Sequence, residues 1–204
     1  MNLLLTILLC GLQIINTSMN RRLLVVSDGD SNTDSSWFTA DSSWMQQTEL
    51  DITNPSTYEF VNKGSNGKKV LTMISTAPAL IDNIFECNGV CILLGGQNDV
   101  YLGASADSTF NLIETYCNAR RAAGWYMIVM TYPSAGAELS ECNDSVRVNF
   151  ATFADELIDL SLDPNIGDAA DHGNATYFRD PVHLTPIGLS IVADSVIKHL
   201  EALR

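Results

Sequence analysis

The sequence predicts an α/β fold in which helices cover both faces of a mainly parallel central sheet. Short apolar runs of strand length alternate with segments whose apolar residues recur at helical spacing. Such alternation implies right-handed crossovers between parallel strands, and therefore a three-layer α/β/α sandwich. The length of 204 residues fits one domain with a full core, which we place at residues 19–204.

Four strands are expected, each from an apolar run bounded by residues that favour turns. The first run, Leu23 to Val26, is continuously apolar, which is typical of strands with both faces buried. In chain order the expected strands lie at residues 22–27, 58–61, 90–94 and 125–132. The first is followed by Ser31-Asn32-Thr33-Asp34, a segment rich in residues that cap helices.

Five helices are expected, the first from an irregular apolar stretch and the others from apolar residues recurring at helical spacing. They lie at residues 44–50, 70–84, 110–124, 146–157 and 189–203. Pro78 should kink the second of these, because proline lacks the N–H that a helix interior needs. Gly124 marks the end of the third, since glycine is favoured just after a helix.

Four polar segments are expected to meet at one edge of this sheet. Ser31, Gly67 and Asn98 each follow a predicted strand within a few residues. The carboxyl ends of parallel strands share one edge, and ligands bind there in such folds. The fourth segment, Asp180-Pro181-Val182-His183, places a carboxylate three residues before a histidine. Together the segments contain a nucleophile, a base, its orienting carboxylate and oxyanion donors, which are the groups that nucleophilic acyl transfer requires.

Each of these residues also has a simpler structural interpretation. Ser31 could cap a helix, while Gly67 and Asn98 could only shape their loops. Asp30 and Asp99 are expected to brace turns and to take no chemical part. Chemistry is favoured because all of the segments occur together, in this order.

The chain has three histidines, and only one has the surroundings of a base. His172 lies in a predicted loop, where we expect it to be solvated. His199 lies at the margin of the apolar stripe of the last helix, which indicates a structural role. His183 follows Asp180 and precedes that helix, so a loop can bring the carboxylate to one imidazole nitrogen. The other nitrogen is then free for Ser31, whose hydroxyl needs a base within hydrogen-bond reach.

In these segments the chain resembles the SGNH (GDSL-type) hydrolase family. The resemblance is carried by Gly29-Asp30-Ser31, Gly67, Gly96-Gln97-Asn98-Asp99 and Asp180-Pro181-Val182-His183. It implies that Ser31 is the nucleophile and that His183 is the base, oriented by Asp180. It also implies that the N–H groups of Ser31 and Gly67 and the side-chain amide of Asn98 form the oxyanion hole. The fold implied is the flavodoxin-like SGNH hydrolase fold.

The resemblance covers roughly Leu23 to Leu203 and departs from the family pattern at two points. Family members usually carry an apolar residue after Gly-Asp-Ser, whereas this chain has Asn32. The second segment contains two glycines, and we assign the oxyanion role to Gly67 because of its distance from Asn62. Gly64 is the alternative.

The resemblance implies a serine ester hydrolase that forms an acyl-enzyme and needs no metal or organic cofactor. The absence of a lid-like apolar insertion favours short acyl groups, acetyl above all, removed from a carbohydrate or similar polar alcohol. Lipase, lysophospholipase or thioesterase activity on the same fold is the alternative. A non-catalytic module that binds a glycan is the alternative from another functional class.

The net charge of −13 bears on the partners of the chain. Nucleic acid is disfavoured, because phosphate binding needs clustered Lys and Arg and only 11 are present. An acidic surface also disfavours anionic polymers and membranes, and no stable membrane insertion is expected. A neutral small-molecule or glycan ester is compatible with this charge. The oligomeric state stays open.

Residues 1–18 contain an apolar run at 3–15 that matches the core of a signal peptide in length. It is too short to span a bilayer easily. Arg21 and Arg22 lie on the wrong side for a signal peptide. We expect export; the alternative is a spurious extension, with translation starting at Met19 and a cytoplasmic protein.

The cysteines do not settle the compartment. Without Cys10, the chain keeps Cys87, Cys91, Cys117 and Cys142, an even number that would suit two disulfides in an exported protein. Cys91 lies inside a predicted apolar strand, which favours a buried free thiol.

Overall fold

The computed structural model describes residues 22–34, 36, 42–85, 89–133 and 136–204. Within them, five parallel strands form one sheet in the order β2-β1-β3-β4-β5. The strands are β1 (Leu23–Gly29), β2 (Tyr58–Asn62), β3 (Gly89–Leu94), β4 (Tyr126–Met130) and β5 (Glu156–Ile158). The α/β class and the parallel sheet are thus confirmed.

Six α-helices connect and follow these strands in the described part of the chain. They are α1 (Trp44–Asp51), α2 (Val70–Leu80), α3 (Gln97–Tyr101), α4 (Ala106–Ala122), α5 (Ala137–Phe153) and α6 (Pro186–Ala202). Helix α4 packs against α2 and α5, whereas α1 packs against α6. The two groups cover opposite faces of the sheet, which gives the expected three layers.

The middle of the sheet is as apolar as its sequence predicts. All six residues of β3 are buried, and β1 is buried except at Leu24. Val25 lies between Phe60 of β2 and Val90 of β3 in register. A strand enclosed on both faces needs continuous apolar residues. This explains why the apolar runs of β1 and β3 do not alternate between apolar and polar residues.

Strand β5 was not predicted from the sequence, and Leu157, which lies in it, was wrongly assigned to a helix. Helix α5 ends at Phe153, and Leu157 lies in β5, which pairs with β4. The break comes at Asp155, whose N–H donates to Met127 O over 2.8 Å and whose carboxylate accepts from Met127 N–H over 2.7 Å. A strand of three residues is too short to show a period of its own.

The second helix is shorter than expected. The apolar spacing predicted it to continue to residue 84, but α2 ends at Leu80, two residues after Pro78. A separate 3-10 turn then covers Asp82–Ile84. Helix α4 ends where predicted, and Gly124 just after it has a φ of +104°, which glycine adopts without strain.

The described cysteines carry no disulfide. Cys91, Cys117 and Cys142 are buried free thiols, so the two-disulfide arrangement does not form among these three. Burial raises the pKa of the Cys91 thiol to about 12, which keeps it protonated and unreactive. Cys87 and the signal-peptide segment lie outside the described residues. No helix in the described ranges is both long and apolar enough to span a bilayer.

Candidate active site

The carboxyl ends of β1, β2 and β3 lie side by side, and the first polar segment follows β1. Gly29 pairs with Leu94, the last residue of β3, while Ser27 pairs with Asn62, the last residue of β2. The loops after these three strands therefore start from adjacent positions at one sheet edge.

Ser31 lies in a tight turn directly after β1. The carbonyl of Asp30 accepts hydrogen bonds from the N–H groups of Thr33 and Asp34, over 3.0 and 2.9 Å. A Cβ on Gly29 would lie 2.3 Å from Thr33 Oγ1 and 2.6 Å from Leu94 O, so only glycine fits before the turn. The turn holds Ser31 at the strand end with 4% of its surface exposed.

The segment from Asp180 to His183 folds as a compact loop around one carboxylate. Asp180 Oδ1 accepts hydrogen bonds from the backbone N–H groups of Val182 and His183, over 2.9 and 2.8 Å. The two carboxylate oxygens also lie 2.9 and 2.8 Å from His183 Nδ1. The spacing of three residues thus lets one aspartate fix both the backbone and the ring of the histidine.

The other nitrogen of that ring reaches the serine. His183 Nε2 lies 3.0 Å from Ser31 Oγ. When the ring proton is on Nδ1 and donates to Asp180, Nε2 presents a lone pair to the Ser31 hydroxyl proton. This arrangement is the one in which a histidine activates a serine.

Asp180 stays ionised in this loop. Its partial burial acts to raise the pKa, but hydrogen bonds from Val182 N–H and from the backbone and side chain of His183 outweigh it. The pKa of Asp180 is therefore lowered. A carboxylate that remains charged can stabilise an imidazolium when the histidine takes up a proton.

Of the two glycines in the second segment, Gly67 has the free donor. The N–H of Gly64 donates to Asn62 Oδ1 over 2.8 Å, and a Cβ on Gly64 would lie 2.6 Å from the backbone of Thr33. Gly67 has a φ of +71°, with open space where a Cβ would point. No described residue accepts a hydrogen bond from the N–H of Gly67 or of Ser31. Two backbone donors are thus left for an oxyanion.

Asn98 carries a side-chain amide donor in the loop after β3. It lies in the first turn of α3, behind Gly96, whose φ of +120° requires glycine. Asn98 Nδ2 donates one hydrogen to Lys68 O over 3.2 Å, and an amide nitrogen carries a second hydrogen. The neighbouring Asp99 accepts from Val70 N–H over 2.9 Å, so it tethers the start of α2 to this loop.

Asn32, the departure from the family pattern, connects the serine turn to the histidine loop. Its side chain is fully buried, and Nδ2 donates to Val182 O over 3.0 Å and to Tyr132 Oη over 2.9 Å. Its Oδ1 accepts from Leu184 N–H over 3.0 Å. Asn32 therefore holds the backbone on both sides of His183.

Sequence reasoning missed this function of Asn32 and the part played by Tyr132. The sequence did contain one signal, because Asn32 is polar and stands after Gly29-Asp30-Ser31, where an apolar residue is expected. A buried amide needs hydrogen-bond partners, so the exception itself pointed to a polar partner. The partner lies 150 residues away in the chain, and no local pattern could identify it.

Asp30 is buried beneath the serine turn. Tyr132 Oη lies 2.9 Å from both of its carboxylate oxygens, and the Asn32 N–H donates to it over 3.1 Å. Burial, aided by the charge of Asp99, raises the pKa of Asp30 to about 7 against these hydrogen bonds. The folded protein therefore holds this proton more tightly than the unfolded chain, and Asp30 makes the fold less stable as the pH rises from about 4 to 7.

The remaining histidines lie elsewhere. His172 is exposed in a short 3-10 turn, and His199 in α6 lies with Nδ1 2.6 Å from Glu156 Oε2 at the start of β5. Among the described residues, no group of three or more His, Cys, Asp or Glu side chains is arranged to hold a metal ion.

Comparison with known proteins gives a clear result for the fold alone. No protein-family model matches the chain, and no curated protein matches it in sequence. A member of the lipolytic protein G-D-S-L family from Veillonella parvula matches it in structure, with 18% identity, 86% of this chain and 97% of that chain covered, and a TM-score of 0.73.

Two esterase structures match to a similar extent. The acetyl xylan esterase AlAXEase is 20% identical, with 87% of this chain and all of that chain covered and a TM-score of 0.68. An acetyl-xylooligosaccharide esterase from Geobacillus is 15% identical, with 89% and 95% covered and a TM-score of 0.69. The chain therefore has the fold of the GDSL/SGNH lipolytic proteins and esterases.

Proposed function

We propose that this protein is a serine ester hydrolase that acts through an acyl-enzyme. The observation that carries the proposal is the unbroken hydrogen-bonded path from Asp180 through His183 to Ser31. Ser31 lies in the turn after β1, whereas Asp180 and His183 share one loop about 150 residues later, and the two segments meet through the bond between His183 and Ser31. Ser31 can also act as a turn residue, but a turn does not require a histidine on its hydroxyl.

In the proposed reaction, Ser31 Oγ attacks the ester carbonyl while His183 Nε2 takes the hydroxyl proton. Asp180 holds the imidazole with Nδ1 protonated and stabilises the imidazolium. When the tetrahedral intermediate collapses, His183 gives the proton to the departing alcohol and the acyl group stays on Ser31. Water then attacks the acyl-enzyme, with His183 again taking and returning one proton, and the acid leaves.

The developing oxyanion would be held by three donors. They are the backbone N–H groups of Ser31 and Gly67 and the second amide hydrogen of Asn98. The first two have no acceptor among the described residues, which supports this role. Donors fixed in place before the reaction need no reorganisation when charge develops, and this makes them effective.

We propose short acyl groups, acetyl above all, on a carbohydrate or similar polar alcohol as the substrate. The acidic net charge of −13 is compatible with a neutral glycan ester. Similarity in fold to two esterases named for acetylated xylan or xylooligosaccharides supports this choice.

Longer acyl chains are the second candidate, because several exposed apolar side chains lie at the same edge. Leu71 is in the first turn of α2, Tyr101 and Leu102 end α3, and Ile187 is in the first turn of α6. All four are more than half exposed. Such side chains could accept a fatty acyl chain as it leaves water.

Export forms a further part of the proposal. It is supported by the apolar run at residues 3–15, whose length matches a signal-peptide core. Sequencing the N-terminus of protein recovered from its natural source would test it. An end beyond residue 15 other than Met19 or Asn20 supports cleavage, whereas an end at Met19 or Asn20 supports the later start of translation and an intact residue 1 contradicts export by cleavage.

The function is tested by hydrolysis of p-nitrophenyl acetate, butyrate and octanoate by the wild type and by Ser31→Ala. We expect the variant to lose at least about 10³-fold in kcat. Ser75→Ala is the matched control, because Ser75 is exposed on α2 and, among the described residues, its hydroxyl bonds only to Thr72 O. Equal weak rates in the wild type and Ser31→Ala would reject the esterase and favour a module that binds glycans. The ranking of the three esters separates acetyl from longer acyl groups.

A further inference from the structure

A buried ion pair connects β1, the strand that leads to Ser31, to the loop of residues 63–68 that contains Gly67, which we call the oxyanion loop. Lys68 Nζ lies 2.5 Å from Asp28 Oδ1, with 8% and 0% of the two side chains exposed. Asp28 lies in β1 three residues before Ser31, and Lys68 directly follows Gly67. Removing two charges from water costs free energy that their mutual attraction offsets only in part. A well-packed apolar pair in the same place is therefore often as stable or more stable. The pair therefore needs an explanation other than stability.

Both members of the pair make further hydrogen bonds within the protein. Asp28 also accepts from Gly29 N–H and from Tyr116 Oη, each over 3.0 Å. Lys68 Nζ donates to Lys63 O over 3.2 Å, at the other end of the oxyanion loop. The ammonium thus joins both ends of the loop that contains Gly67 to the strand that leads to Ser31.

The backbone of Lys68 extends the connection to the third donor. Its N–H donates to Ser65 O over 3.0 Å, and Ser65 N–H donates to Gly29 O over 3.0 Å. Its carbonyl accepts from Asn98 Nδ2 over 3.2 Å. Through one residue, the position of Asn98 therefore depends on the position of the loop.

We propose that Lys68 is a positioning residue whose ion pair with Asp28 holds Gly67 N–H and the Asn98 amide in place relative to Ser31. The proposal rests on the proposed esterase function, because positioned donors matter only if an oxyanion forms. It assigns Lys68 no contact with substrate.

The first experiment measures kcat and KM for p-nitrophenyl acetate in Lys68→Met, with Lys63→Met as the matched control from the same loop. Lys63 joins this network only through its backbone. We expect Lys68→Met to lower kcat about 10- to 100-fold with KM changed less than about threefold, below the roughly 10²–10³-fold loss for removing a whole donor. Lys63→Met should match the wild type.

A double-variant cycle shows whether Lys68 acts through Asn98. If it does, the kcat of the double variant Lys68→Met/Asn98→Ala should fall by a factor clearly smaller than the product of the factors for the two single variants. Losses that multiply would overturn the part of the proposal that concerns Asn98, and an unchanged kcat with a lowered Tm would overturn the whole. If Lys68→Met fails to fold because the Asp28 carboxyl is left buried without its cation, Asp28→Asn combined with Lys68→Met removes that carboxyl group and gives the same kinetic test.

Amide hydrogen exchange separates this proposal from the esterase proposal. In Lys68→Met, the Ser65 amide should exchange at least about tenfold faster, because the loop opens locally, while the amides of β3 should keep their protection. Unchanged protection at Ser65 refutes the positioning role even in a protein that hydrolyses no ester. Absent hydrolysis together with faster exchange would reject the function and retain the role of Lys68 in ordering the loop.

Discussion

Replacing Asn32 by leucine tests whether one buried side chain holds the His183 ring in position beside Ser31. Leucine has nearly the same size and supplies the apolar residue that the family pattern has after Gly-Asp-Ser. It removes three hydrogen bonds, to Val182 O, Leu184 N–H and Tyr132 Oη. The substitution therefore changes polarity with little change in volume.

The expected loss of stability follows from the groups left behind. Leu184 is fully buried, so its backbone N–H loses its acceptor without access to water. An unsatisfied buried group costs about 1–3 kcal/mol. Val182 O is only partly buried and Tyr132 Oη keeps Asp30 as its partner, so these two add less. We expect the free energy of unfolding to fall by about 2–4 kcal/mol.

The loss of activity should exceed what a lower stability explains. Without Asn32, the backbone on both sides of His183 is released from the serine turn. A displacement of about 1 Å can cost 10²-fold in rate, so we expect kcat to fall about 10- to 100-fold at a temperature where the variant is fully folded. KM should change little, since Asn32 faces the protein interior.

The assay combines urea unfolding with steady-state hydrolysis of p-nitrophenyl acetate. Asn111→Leu is the matched control, because Asn111 is exposed on α4 and should change stability by less than about 0.5 kcal/mol. A folded Asn32→Leu with wild-type kcat would refute the reasoning, since it would show that the histidine loop holds its position without this connection.

Three further predictions concern the ring, the loop glycine and the buried carboxyl group. Asp180→Asn should lower kcat by about 10⁴-fold, because the ring loses the partner that sets its tautomer; a loss below tenfold in a folded variant would remove Asp180 from the mechanism. Gly67→Ala should lower the free energy of unfolding by about 1 kcal/mol through its φ of +71° alone, since a Cβ there meets open space; thermal unfolding measures this, and a loss above about 3 kcal/mol would contradict it. Asp30→Asn should flatten the decline of stability between pH 5 and 7.5, because the pKa of Asp30 near 7 makes the wild type up to about 4 kcal/mol less stable across its titration. Urea unfolding at the two pH values checks this, and equal slopes in both proteins would show that another group titrates.

The sequence was a good guide where one short segment decides a structure. The strands at the centre of the sheet needed only a continuous apolar run, and β3 is buried throughout. The loop from Asp180 to His183 is likewise local, since its spacing alone lets the carboxylate reach the ring. The choice of Gly67 over Gly64 agrees with the free N–H seen in the structure, although its role stays a prediction.

Long-range connections could not be predicted in this way. Asn32 only departed from the expected motif in the sequence, because its partners Val182 and Leu184 lie about 150 residues further along the chain. Leu157 fitted the apolar period of the preceding helix, and only pairing with β4 shows it to be a strand residue. In both cases the deciding contact is tertiary, and periodicity carries no information about it.

The great distance in sequence between Ser31 and His183 has a consequence for synthesis of the protein. The two residues are 152 positions apart, and a ribosome adds about 5–20 residues per second. For many seconds the nascent chain therefore contains Ser31 and the loop with Gly67 but not His183. If the chain is the esterase proposed above, it stays inactive until its last eighth, which contains Asp180 and His183, emerges. A message truncated before that point would yield a protein with an inert serine.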